Sequence, residues 1–183
     1  MPLETHRLIL RRFLPSDAPD LQEILGDSQT MTYLEAPYGP EKTARFLQEF
    51  CIAKNGALAA VEKCSGKVIG YLLFHPLEQD IYEIGWIFHR NYWRQGFAWE
   101  ACQRLIQWGF SDQKAHKILA ETIDPVKSVG LMKKLGMQQE GVQRSQTKNR
   151  QGQWTDLYLY GLLREDWARQ TQGACSTRQP FEF

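Results

Sequence analysis

The chain has 183 residues, 43% of them hydrophobic, and 22 Lys and Arg against 21 Asp and Glu give a formal net charge of +1. That length suits one domain with a substantial core. The near-neutral balance excludes a broadly basic surface for nucleic acid or an anionic membrane, so any anion site must be local.

No apolar run approaches the ~20 residues that a bilayer span needs. The opening MPLETHRLILRRF is charged from its first residues and lacks the apolar stretch of a signal peptide. Both features predict a cytoplasmic protein. Cys51, Cys64, Cys102 and Cys175 are far apart and form no CxxC pair, and His6, His75, His89 and His116 lie off metal-ligand spacing. Neither a disulfide framework nor a metal site is expected.

In chain order, RLILRRF (7–13) reads as a first strand. PSDAPDLQEILGD (15–27) reads as a short helix with Ser16 as N-cap, an apolar stripe of Leu21, Ile24 and Leu25, and a stop at Gly26. A loop over 32–40 carries Tyr33 and Tyr38, and a helix over 40–54 turns Ala44, Phe46, Leu47, Phe50 and Cys51 to one side. The period then changes to two. Residues 57–63 and 68–77 form a hairpin around CSGK, and IYEIGWIF (81–88) is a third strand of that group. A helix over 98–111 has Ala98, Ala101, Cys102, Leu105, Ile106 and Phe110 on one face. A strand (117–123), a helix (126–137, stopped by Gly136) and a long hairpin around KNRQGQ complete the pattern. The tail from 170 has no periodicity, so a single domain over 1–169 with a poorly ordered tail over 170–183 is expected. The order of elements predicts one mixed α/β (α+β) layered domain.

The segment RNYWRQGFAWEA (90–101) runs from a turn containing Gly96 straight into a helix pattern. A helix N-terminus presents unpaired N–H groups and the positive end of the macrodipole, and a glycine lets a ligand approach the backbone. Such a start suits an anion, most often phosphate. Other phosphate fingerprints are missing: SGKV at 65–68 has Val61 where GxxxxGK[ST] needs its first glycine, and there is no GxGxxG.

YEIGWIFHRNYWRQGFAWEACQRLIQWGF resembles the acetyl-CoA-binding signature of GNAT N-acetyltransferases. It resembles most closely the branch that holds the ribosomal-protein N-terminal acetyltransferases, with Tyr92, Trp93, Gly96, Phe97, Ala98, Glu100 and Ala101 matching that branch's pattern. SVGLMKKLGM and the closing EGVQRSQTKNRQGQWTDLYLYGLLREDW are similar to two further segments of the branch, and the likeness spans residues 4–167.

The resemblance implies a mostly antiparallel central sheet, flanked by about four helices and splayed at the cofactor site. It implies acetyl-CoA as co-substrate, with the pyrophosphate on the backbone of Arg94, Gln95, Gly96, Phe97, Ala98 and Trp99 and the pantetheine arm along Ile87 and Phe88. The chain departs from the pattern at Arg94 and Trp99, at Pro125 and Gly130, and at Met132, where many relatives place a tyrosine.

Acetyl transfer to an amine needs a base, because an α-ammonium has a pKa near 8 and a lysine ammonium one of about 10.4. It also needs a proton for the departing thiolate. By match to the family, Glu83 is the expected base and Ser128 the expected acid, with Tyr158 and Tyr160 as alternatives. Glu35 and Asp156 are candidates to hold a cationic amine, with Tyr38 and Tyr158 in the wall of its site. The expected partner is an amine, either a peptide N-terminus or a small molecule. No nucleic acid and no membrane are expected, and the long last strand suggests pairing across a homodimer. The departures at Pro125, Gly130 and Met132 motivate a second class of reading, a catalytically silent acyl-CoA sensor.

Overall fold

The computed structural model describes residues 2–176, with side chains described through residue 172. Its strands are β1 (Leu3–Glu4), β2 (Leu8–Arg12), β3 (Leu58–Glu62), β4 (Val68–Glu78), β5 (Ile81–Phe88), β6 (Lys117–Thr122), β7 (Gln138–Lys148) and β8 (Trp154–Leu163). Its helices are α1 (Ala18–Gly26), α2 (Pro40–Arg45), α3 (Phe97–Ser111), α4 (Lys127–Lys134) and α5 (Arg164–Ser176). Helix α2 runs on as a π-helix over Phe46–Ile52.

All eight strands form one sheet in the order β1-β2-β3-β4-β5-β6-β8-β7. Alternation along the strands sends side chains to two cores. Leu8, Leu10, Ile69, Leu72, Ile84, Phe88, Ile118 and Tyr160 pack with Ala101, Leu105, Ile106 and Phe110 of α3. On the opposite face Phe13, Ala59, Val61 and Tyr71 pack with Leu21, Ile24 and Leu25 of α1 and with Leu47 and Cys51. Each core excludes water from one side of the sheet, which is the main stabilising contribution.

Every neighbouring pair of strands is antiparallel except β5–β6. That parallel pairing covers only Ile81–Lys117, Tyr82–Ile118 and Glu83–Leu119. Past Glu83 the two strands part: β5 continues on β4 as far as Phe88, and β6 continues on β8 as far as Thr122. The expected mostly antiparallel, splayed sheet is therefore present, and the gap opens toward the N-terminus of α3.

Two expectations need correction. Ser16 does not cap α1; a 3-10 turn covers Pro15–Asp17, and the buried Asp17 holds the corner. Its carboxylate accepts the Leu14 N–H at 2.8 Å and pairs with both Nη atoms of Arg11 at 2.7 and 2.8 Å. The last strand offers no dimer edge over Tyr158–Gly161, because β6 and β7 fill both of its sides; the outer strand is β7. Helix α5 runs to Ser176, and the rest of the tail expected over 170–183, residues 177–183, lies outside the described residues. Tertiary contacts hold α5. Trp167 stacks on Phe110 at 5.2 Å, Arg164 donates to the carbonyls of Phe110 and Ala115, and Gln170 donates to the Gly136 carbonyl at 3.1 Å.

Candidate active site

Two residues with reversed backbone shape the turn before α3: Arg94 with φ 59° and Gly96 with φ 83°. Glycine takes such a φ without the Cβ clash that other residues meet. Gly96 occupies the N-cap position and brings no side-chain acceptor. The first bond into the helix runs from the Glu100 N–H to the Gly96 carbonyl at 3.0 Å. Among the described residues, none of the backbone N–H groups from Arg94 to Trp99 meets an acceptor. The free N–H groups of Phe97, Ala98 and Trp99 at the positive end of a fifteen-residue helix fit a phosphate group.

The N-terminal segment braces this loop. Arg7 donates from Nη1 to the Gln95 carbonyl at 2.9 Å and from Nε to Glu100 Oε2 at 2.7 Å, and its guanidinium lies 4.1 Å from the Phe97 ring centroid. Glu100 Oε1 also accepts the Thr5 hydroxyl at 2.6 Å and the Arg7 N–H at 2.7 Å. Burial by itself raises the Glu100 carboxyl, but the hydrogen bonds from Thr5 and Arg7 outweigh it and hold the group below its ordinary pKa. On the other flank the Trp93 indole donates to the Phe88 carbonyl at 2.7 Å. Lys127 Nζ lies 4.1 Å from the Trp93 ring centroid, and Lys134 Nζ lies 5.4 Å from that of Trp99. The bulky Trp99 is thus accommodated toward α4 and does not fill the turn.

The unpaired edge of β5 faces the gap. His89 N–H donates to the Ile69 carbonyl at 2.9 Å, so His89 and Ile69 form a hydrogen-bonded pair. Antiparallel pairs alternate, so Ile87 and Gly85 bond toward β4, whereas the backbones of Ile84, Trp86 and Phe88 point toward the gap. Of the two expected pantetheine contacts, Phe88 has its backbone in the gap, with its carbonyl already taken by Trp93. The Ile87 side chain packs on the α1 side of the sheet.

Glu83 is the last β5 residue paired with β6. Its neighbours Ile84, Trp86 and Phe88 belong with the α3-side core, and the strand period puts the Glu83 carboxylate on the other face. His75 stands opposite it on β4, with Nε2 3.0 Å from Glu83 Oε2. Glu121 lies on the same face of β6, two residues beyond Leu119, the partner of Glu83. Desolvation, and then the charge of Glu83, push the Glu121 carboxyl above its ordinary pKa. An imidazole and two carboxylates thus converge where the sheet opens.

Ser128 lies in the first turn of α4 but does not cap it. The buried Asp124 does so, accepting from the N–H groups of Val126 at 3.0 Å, Lys127 at 3.1 Å and Ser128 at 3.3 Å. The Ser128 hydroxyl makes no hydrogen bond among the described residues, and Met132, one turn on, is core. Tyr158 and Asp156 line a shallow groove with Ile123, Pro125, Trp154 and Thr155, beside the α4 N-terminus. One oxygen of Asp156 accepts the Ser145 N–H at 2.8 Å.

Glu35 and Tyr38 form a separate cluster. Glu35 accepts the Tyr38 hydroxyl at 3.0 Å and pairs with Lys42 at 2.7 Å, and Lys42 holds its carboxyl below the ordinary pKa. Among the described residues no hydrogen bond, ion pair or shared groove joins Glu35 with Asp156. The structure does tie the hairpin tip to the loop after α1 through Arg150, which donates to the Ser28 carbonyl at 3.1 Å. Sequence reasoning missed Arg7, Lys127, His75 and Glu121 in this neighbourhood. Only cross-strand and helix-to-strand contacts bring them in, and no local motif marks them. Among the described residues, no group of three or more His, Cys, Asp or Glu could hold a metal ion. No described helix is long and apolar enough to cross a membrane.

An uncapped helix N-terminus beside an open strand edge suits an anionic ligand with an extended arm. Residues 7–138 match the model of the acetyltransferase (GNAT) domain, so the chain belongs to that family and is an acetyl-CoA-dependent N-acetyltransferase. The uncharacterized N-acetyltransferase YnaD of Bacillus subtilis strain 168 is 31% identical over 171 residues, covering 91% of this chain and 99% of its own length. A GNAT acetyltransferase structure from Bacillus anthracis is 28% identical with a TM-score of 0.81, covering 90% of this chain and 99% of its own. The ribosomal-protein-S5-alanine acetyltransferase of Vibrio fischeri, at 23% identity and a TM-score of 0.74, covers 91% of this chain and 98% of its own and shares the fold.

Proposed function

We propose that the acceptor is a protein N-terminus, that Glu83 takes the proton of its α-ammonium, directly or through a water, and that Ser128 returns a proton to the departing thiolate. Acetyl-CoA supplies the acetyl group as an activated thioester. In this reading the N–H groups of Arg94, Gln95, Gly96, Phe97, Ala98 and Trp99 hold its pyrophosphate, helped by the nearby charges of Arg94 and Lys127. The β5 edge from Ile84 to Phe88, with Ile87 behind it, guides the pantetheine arm in the manner of an added strand. Asp156 and Tyr158 line the path of the acceptor, and Tyr38, with Glu35 already neutralised by Lys42, contributes a wall.

The observation that carries the reading is the position of Glu83: the last residue before the strands part, with its carboxylate on the face opposite α3. A base there meets the acceptor from one side while the unpaired edge takes the thioester from the other. The carboxylates of Glu83 and Glu121 together favour a cationic acceptor. The likeness to the branch of ribosomal-protein N-terminal acetyltransferases, in which the Vibrio fischeri protein is named for an alanine acceptor, favours a peptide over a small amine.

The test is thiol release from acetyl-CoA in the presence of hexapeptides beginning with Ala or Ser, or of spermidine. Glu83→Gln is expected to lower kcat by about a hundredfold or more, the usual contribution of a general base, while calorimetry finds acetyl-CoA affinity unchanged. Equal turnover by this variant removes Glu83 from the base role. Faster turnover of spermidine than of either peptide reassigns the acceptor. Binding of acetyl-CoA without turnover on any amine returns the chain to the silent-sensor reading.

A further inference from the structure

We propose that His75 is the positioning partner and proton outlet of Glu83, an inference that rests on the reading of Glu83 as the base. The two residues stand opposite one another across β4 and β5, with 3.0 Å between His75 Nε2 and Glu83 Oε2. The contact fixes one carboxylate oxygen and leaves the other free to face the acceptor. His75 lies beyond the last residue of β4 that pairs with β3, Leu72, and belongs to neither core. Its side chain is 47% exposed against 27% for Glu83, so the pair forms a path from the sheet opening to bulk water. The titratable groups set against this path are Glu83 on β5 and, beside it, Glu121 on β6.

The reaction needs such a path. An ammonium acceptor loses two protons on becoming an amide. The N–C bond forms, the C–S bond breaks, one proton ends on the thiol, and the other passes first to Glu83. That second proton is the net product released at neutral pH, and Glu83 must shed it before the next turnover. Glu121 shares the face but makes no hydrogen bond with Glu83 among the described residues, and its carboxyl, raised by desolvation and then by Glu83, holds a proton rather than passing it on. An imidazole can accept a proton on one nitrogen and give one up from the other, and it is the group in contact with Glu83.

The test compares His75→Ala, His75→Gln and Glu83→Gln with the parent chain. The acceptor is whichever of the alanyl hexapeptide, the seryl hexapeptide, spermidine or water, the last read as slow acetyl-CoA hydrolysis, turns over fastest in the parent. Both His75 variants are expected to bind acetyl-CoA with unchanged affinity and to lose kcat about tenfold, less than the roughly hundredfold or more of a direct general base, as suits a group that acts through Glu83. Added imidazole is expected to restore part of the His75→Ala loss. Gln keeps a donor for the carboxylate but cannot carry a proton, so a parent-like kcat in His75→Gln overturns the outlet. A parent-like kcat in His75→Ala, or a loss seen only in melting temperature, overturns the inference altogether. If Glu83→Gln keeps the parent kcat, the base reading itself has failed. If Glu83→Gln is slow while both His75 variants are normal, only the His75 inference has failed.

Discussion

At the scale of single residues, the face of the sheet at Glu83 and Glu121 is poised between repulsion and use. The Glu121 carboxyl has its pKa raised by desolvation and by the charge of Glu83. A carboxyl raised in the folded state favours folding while it is protonated, below its unfolded pKa. That contribution is lost as pH rises through the folded value. Glu121→Gln keeps the size and removes the charge. It is expected to raise the melting temperature more at about pH 7.5 than at about pH 4, near the ordinary carboxyl range. Thermal melts at the two pH values check this, and a gain that is larger at the acidic value contradicts the assignment. Glu100 is the opposite case. Its Thr5 and Arg7 partners lower its pKa, so its contribution is present at neutral pH and fades on acidification.

At the scale of elements, the turn into α3 depends on backbone handedness. A Cβ on Gly96 meets only Arg7 Nη2, at 3.4 Å, which is the movable end of a side chain. The obstacle to substitution is therefore the φ of 83° itself. Gly96→Ala is expected to cost about 1 kcal/mol from the left-handed backbone, a fall of about 2–4 °C in melting temperature for a chain of this size. If the turn relaxes to relieve the strain, acetyl-CoA binding measured by calorimetry is expected to weaken with it. An unchanged affinity would separate the turn's shape from the anion site. Helix α5 shows a different dependence: its own segment carries few apolar residues, and its place is set by Trp167 on Phe110 and by Arg164 and Gln170 bonding carbonyls near the ends of α3 and α4.

At the scale of the whole molecule, the opening between β5 and β6 is bordered by distant parts of the chain. Arg90, just past β5, pairs with Asp27 at 3.1 Å, and Thr30 accepts the Arg90 N–H at 3.1 Å. Ser28, in the same loop, accepts from Arg150 at the hairpin tip. A ligand seated between these parts binds the folded chain and not the unfolded one. Acetyl-CoA at a hundred times its dissociation constant is then expected to add about 2.7 kcal/mol, or roughly 5–10 °C in melting temperature. ATP at the same concentration, with phosphates but no pantetheine arm, is expected to add much less. Equal shifts from the two would mean that the β5 edge contributes nothing.

Much of this protein was legible in the sequence, for reasons local to each segment. The strand read over 81–88 is Ile81–Phe88, and the helix read over 98–111 is Phe97–Ser111, because side-chain periods of two and 3.6 residues are written directly in the apolar pattern. Gly96 before a helix was likewise visible as a turn with an open backbone. The tertiary structure alone decided that β5 and β6 part after Glu83, that His75 faces Glu83 and that Glu121 shares their face. It also decided that Arg7 reaches the α3 turn from 88 residues away at Gln95. Register, strand divergence and desolvation depend on residues far apart in the chain, and a local pattern holds no record of which distant segment will lie alongside.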